Sequence, residues 1–124
     1  MIKFKDKKID VLGTRYDITY KNYSDDDAFE KDSIMGYCNT HSKLIVICNM
    51  NTYPGYENVL DSTLLPLMKE CIRHEIVHAF FSESGLNSSS LSYNGAWANN
   101  EEMVDWIAHQ GIKMYNAWKQ ADAV

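Results

Sequence analysis

The chain has 124 residues, 45 % hydrophobic and 23 % charged, with a net charge of −5 and a sequence pI of about 5.2. That is the composition of one globular domain, residues 1–124, long enough to bury roughly two-thirds of its unfolded surface. The acidic balance argues against partnership with nucleic acid or an anionic membrane, since either needs a basic patch. The start, Met1-Ile2-Lys3-Phe4-Lys5-Asp6, is charged and lacks an apolar h-region, and no stretch approaches 18 apolar residues. The expectation is a cytoplasmic monomer with no secretion signal and no membrane span. Cys38, Cys48 and Cys71 form no C-x-x-C and are odd in number, which favours buried free thiols over disulfides; thiolate metal ligation is the weaker alternative.

In chain order, residues 8–12 and 15–20 alternate apolar and polar, with Ile9, Val11, Tyr16, Ile18 and Tyr20 on the inward parity. Gly13-Thr14 between them suits a two-residue type II′ hairpin, with Gly taking the positive φ. Residues 24–32 are acidic, with Ser24 able to cap a short helix or turn over Asp25, Asp26 and Asp27. A calcium loop would need spaced oxygens and a later Glu, so a solvated short helix or turn is the expectation here. A second hairpin follows, residues 34–38 and 43–48, turning through Asn39-Thr40-His41-Ser42. Leu44-Ile45-Val46-Ile47 is a continuous apolar run, so this strand is expected to be buried on both faces or to lie over the main helix. Residues 49–61 form a loop marked by Pro54-Gly55.

A helix is expected to begin near residues 61–63 and run to Glu83, with Pro66 in about its first turn and Gly85 as its stop. Inside it stands Arg73-His74-Glu75-Ile76-Val77-His78, an H-E-x-x-H pattern. At about 100° per residue, His74 and His78 sit about 40° apart and one turn along. Both imidazoles can therefore reach one ion, with Glu75 on the flank beside it. Apolar residues, from Leu65 through Phe81, cover nearly the whole circumference, so the helix is expected to be buried all round. Two His and a Glu in such surroundings cost several kcal/mol unless they have partners. A metal supplies that partner.

Residues 86–98 form a long polar loop of the kind that rims functional sites. A second helix is expected from Asn99 or Asn100 to about Gln110, broken or bent at Gly111. Ile112, Tyr115, Trp118 and Ala121 recur at helical spacing, as in a last helix packed on the body. The fold class is α+β: two N-terminal β-hairpins in one sheet packed on the motif helix, then one or two further helices, with residues 1–60 mainly β and 61–124 mainly α.

A catalytic zinc has three protein ligands and an open position for water, so a third ligand must come from elsewhere. Phe81 and Ser84 stand where a metzincin has Gly and His, which excludes that class. Asn100-Glu101-Glu102-Met103-Val104-Asp105 resembles the N-E-x-x-x-D element of gluzincin metallopeptidases, zincin-like enzymes with a Glu as third ligand. The whole pattern is similar to the minigluzincins and the ImmA/IrrE-type metallopeptidases of bacteria, phages and mobile elements. The resemblance implies a Zn(2+) held by His74, His78 and Glu101, with Asp105 supporting His74, as a ligating imidazole wants its other N–H bonded to a carboxylate. The helical wheel points the same way. With Glu101 at 0°, Met103, Ile107, Val104 and Ala108 fall at about 200°, 240°, 300° and 340°, bordered by Glu101 and by Asp105 at about 40°. Glu102, at about 100°, points to solvent, where it can form a capping box with Asn99. His109, at about 80°, is the alternative ligand.

These parts imply a zinc metallo-endopeptidase acting on a protein or peptide substrate, with Glu75 as general base. Tyr93 and His109 are candidates for the donor that stabilises the oxyanion. The alternative is a catalytically silent, zinc-stabilised binding or regulatory module. Glu75 favours the enzyme, because a purely structural site has no use for an unligated carboxylate beside the metal.

Overall fold

Hairpin formation at the N-terminus follows the alternating pattern. β1 (Lys7–Val11) and β2 (Thr14–Lys21) pair antiparallel, with Val11 opposite Thr14. The computed structural model describes residues 2–87 and 97–124; Tyr93 and most of the polar loop lie outside them. The turn of the first hairpin is Leu12-Gly13, one residue earlier than the expected Gly13-Thr14. Both residues take positive φ, 51° and 89°, as a type I′ turn requires. Gly13 adopts this freely; Leu12 bears the strain, a cost on the order of 1 kcal/mol.

β3 (Gly36–Asn39) and β4 (Leu44–Cys48) form the second hairpin, Asn39 facing Leu44. The two hairpins join through a parallel pairing of β2 with β4, Ile18 opposite Ile45, giving the order β1-β2-β4-β3. The crossover between β2 and β3 contains a 3₁₀ turn (Tyr23–Asp25) and the one-turn α1 (Ala28–Lys31). Ser24 lies inside the 3₁₀ turn rather than capping a helix; Asp26 Oδ1 accepts the Ala28 N–H at 3.1 Å instead. As the apolar run implied, β4 is buried on both faces. Ile45 and Ile47 pack with Val11, Tyr16, Ile18 and the following helix, while Val46 and Cys48 meet Phe29 of α1.

α2 (Asp61–Glu83) crosses the sheet and buries Leu64, Met68, Glu75 and Ala79. Pro66 is its sixth residue, beyond the expected first turn, and leaves the Ser62 carbonyl without its helical donor. Both residues are exposed, where water can serve that carbonyl. The expected all-round burial is not found: Leu65 and Phe80 are 36 % and 39 % exposed, because the sheet covers one side and the last helix only a flank. Gly85, at φ 85°, ends α2 in a Schellman arrangement, with Leu86 N–H on Phe81 O at 2.9 Å and Gly85 N–H on Ser82 O at 3.1 Å.

α3 (Glu101–Gln120) runs unbroken through Gly111, correcting the expected break. One interior glycine costs a helix only about 1 kcal/mol relative to Ala, less than the packing of its first half returns. Its N-cap is Asn100, whose Oδ1 accepts the Met103 N–H at 2.9 Å, so the Asn99–Glu102 capping box does not form. Val104 and Ala108 are buried against α2, and Arg73 Nε donates to Ala108 O at 2.7 Å. Ile112, Tyr115 and Trp118 are half exposed, so the second half of α3 is not packed on the body as expected. The architecture is α+β, with a four-stranded mixed sheet and three α-helices among the described residues. Among the described residues no helix is long and apolar enough to cross a membrane.

The C-terminal end of α2 is clamped to the sheet by Glu83. It accepts Lys43 Nζ at 2.6 Å, Tyr16 Oη at 2.7 Å and Thr14 Oγ1 at 3.1 Å. The Lys43 bond first, then the Tyr16 bond, holds its carboxyl below the ordinary glutamate range. A carboxylate with a lowered folded-state pKa contributes stability that is complete above its ordinary value, 4.5, and lost as pH falls through the lowered one. Glu83→Ala is expected to lower the melting temperature at neutral pH, with the gap to wild type closing on acidification. Thermal unfolding across that range measures it; a gap that does not change with pH would assign the loss to packing instead.

Candidate metal centre

The helical repeat brings His74 and His78 onto one face of α2, and that face meets the start of α3. His74 Nε2 and His78 Nε2 stand 3.1 Å apart. Glu101 reaches both: Oε2 lies 3.0 Å from His74 Nε2, and Oε1 lies 3.2 Å from His78 Nε2. Asp105, one turn further along α3, places Oδ1 2.5 Å from His74 Nδ1. Glu75 is 6 % exposed, with Oε1 3.9 Å from His74 Nε2 and outside the triangle.

Glu102 and His109 are not part of this group. Glu102 is exposed and lines a different hollow. His109 Nδ1 lies 3.5 Å from Glu70 Oε1. Tyr93 lies outside the described residues.

The triangle has a bonding deficit that a cation would meet. In the neutral ring, a His74 Nδ1–H donated to Asp105 leaves the Nε2 lone pair facing Glu101 and His78. Burial is the first cause that holds the His78 pKa below its usual value, favouring the neutral form that ligates metals. Lone pairs of two imidazoles and a carboxylate then converge at 3.0–3.2 Å. Ligand atoms about 2.0–2.1 Å from a tetrahedral zinc stand about 3.3–3.4 Å apart, close to these separations. His74, His78 and Glu101 can therefore hold a metal ion.

Burial raises the Glu75 carboxyl to about 7, with Glu101 and Asp105 adding to the rise and His74 opposing it. A carboxyl poised near neutrality can both accept and release a proton at physiological pH. Cys38 and Cys71 flank Glu75 as free thiols, pushed up to about 12 chiefly by burial, so they stay protonated and are poor ligands.

One positioning residue is not visible in the motif. Gly36 opens β3 where a Cβ would come within 3.0 Å of Cys71 Sγ and Ile47 Cδ1 and 3.1 Å of Val46 O. Only glycine lets the strand approach α2 this closely. The signal was a glycine within a strand pattern, which marks a close approach of backbone. β3 is an edge strand, and with Glu75, His78 and Glu101 it walls a cleft of about 440 Å³. Against known proteins, no family model matches the chain, and neither a curated protein nor a solved structure matches it significantly.

Substituting the neighbouring carboxylates separately tests the assignment. Glu101→Gln is expected to weaken zinc by a factor of about ten or more, as loss of a ligand charge does, while Glu102→Gln leaves affinity nearly unchanged. Chelator competition measures both, and metal loss in the Glu102 variant alone would reverse the assignment.

Proposed function

We propose that the protein is a zinc-dependent metallo-endopeptidase that hydrolyses peptide bonds in a protein or peptide substrate. The observation that carries this reading is a buried carboxylate, Glu75, beside three converging metal-ligand atoms but not among them. Two imidazoles and one carboxylate suit zinc and leave a coordination position for chemistry. Zinc bound there would polarise the scissile carbonyl and acidify a water.

The chain's own residues do the rest. Glu75 takes the proton of the attacking water at its carboxylate and hands it to the departing amine. Asp105 holds the His74 ring in one tautomer and orientation. Among the described residues β3 has β4 on one side only, which leaves its other backbone edge to an extended substrate segment that pairs by main-chain hydrogen bonds. On this reading the protein is kin to the small gluzincins and works in the cytoplasm, where three free thiols persist.

Glu75→Gln is expected to keep zinc and near-native stability while lowering peptide hydrolysis by roughly two orders of magnitude or more. Metal content and cleavage of a denatured protein mixture, with and without chelator, report the two properties. Unchanged cleavage by the variant removes Glu75 as the base. A wild-type protein that holds zinc and cleaves nothing across many substrates is the silent binding module.

A further inference from the structure

A second and larger hollow, about 820 Å³, lies on the outer flank of α3. Two indoles face it, Trp97 from the 3₁₀ turn before α3 and Trp106 from α3 itself, and they are 63 % and 55 % exposed. Glu70, Glu102 and Asp105 line it as well. His109 is its one basic side chain among the described residues, and no Lys or Arg among them faces it.

The hollow adjoins the metal centre through shared wall residues. Glu70 and Asp105 line both it and the apolar niche beside His74 and Glu75, and Asp105 is the residue bonded to His74. A peptide held at the centre can therefore reach it within a few residues.

Helix electrostatics explain part of this lining. Glu102 is the second residue of α3, where the helix dipole favours a carboxylate. That does not explain two tryptophans left in water beside it, which is unfavourable unless something covers them. A purely apolar partner would cover the indoles but strip water from Glu102 without pairing it, and from the free oxygens of Asp105 and Glu70, which already meet His74 and His109. An anionic partner would be repelled. A cationic side chain meets both demands, with its stem and charge against the indole faces and its N–H groups on the carboxylates.

We propose that this hollow is a specificity site for a Lys or Arg side chain of the peptide substrate. The substrate class rests on the peptidase reading above, but the binding step requires no cleavage, so the two can fail separately.

The experiment is selection from a library of short random-sequence peptides on immobilised, zinc-loaded Glu75→Gln protein. Lys and Arg are expected to be enriched at one position by roughly fivefold, the ratio that one exposed cation–π contact provides. The enrichment should vanish in the same protein carrying Glu102→Gln and Trp106→Leu, both surface changes, and survive Trp106→Phe. No positional preference, a preference for apolar or acidic residues, or a basic preference that persists in the Glu102→Gln, Trp106→Leu protein overturns the proposal. The selected peptides are then offered to the wild-type protein. Basic enrichment without cleavage keeps the site and removes the peptidase reading; cleavage with no basic preference does the reverse.

Discussion

Three acceptor atoms converge where α2 meets the start of α3. The nitrogens of His74 and His78 and the carboxylate of Glu101 approach to 3.0–3.2 Å. Brought together without positive charge, such groups repel. A shared cation reverses the sign of that interaction, and the same convergence then fastens one helix to the other. Asp105 sharpens the demand in the neutral ring, where a proton held on His74 Nδ1 leaves the other nitrogen as an acceptor.

The scaffold keeps these groups in place from two directions. At one end of α2, Glu83 ties the helix to β2 and to the loop that closes the second hairpin. In the middle, Gly36 lets the edge strand come close against Cys71. Between them Glu75 is desolvated, which is what lifts its carboxyl toward neutrality. Glu75 is thus tuned by sheet packing, while His74, His78 and Glu101 are gathered by helix packing.

The histidine pair could be read from spacing, whereas Glu101 and Asp105 were reached through a family resemblance that the helical wheel supported for Glu101. The i, i+4 histidines needed only helical geometry, and the apolar stripe of α3 set Glu101 rather than Glu102 toward the body. The hairpins followed from period-two alternation, and β4 from its unbroken apolar run. What escaped were features decided by tertiary context. Nothing local said that β2 and β4 would lie parallel, since a parallel neighbour is chosen by the crossover rather than by the strand. The Leu12-Gly13 turn follows sheet twist at the expense of Leu12. Gly111 read as a break and Pro66 as a first-turn residue, yet packing at Val104, Ala108, Leu64 and Met68 carries α3 through the one and lets α2 start a turn ahead of the other. The apolar circumference of α2 overstated its burial because hydrophobicity does not tell how many neighbours a helix will find.

The bond from Arg73 to the Ala108 carbonyl acts as an index pin between the two helices. Sliding α3 by one residue would shift it about 1.5 Å and turn it about 100°. Asn100 or Glu102 would then face the histidines in place of Glu101. Val104 or Trp106 would stand where Asp105 now meets His74, and the imidazole would lose its carboxylate partner. Ligand identity is therefore stored as helix phase, fixed by a guanidinium that lines no wall of the cleft. A change at Arg73 can therefore alter which side chain of α3 faces the histidines without substituting any of the three residues that meet there.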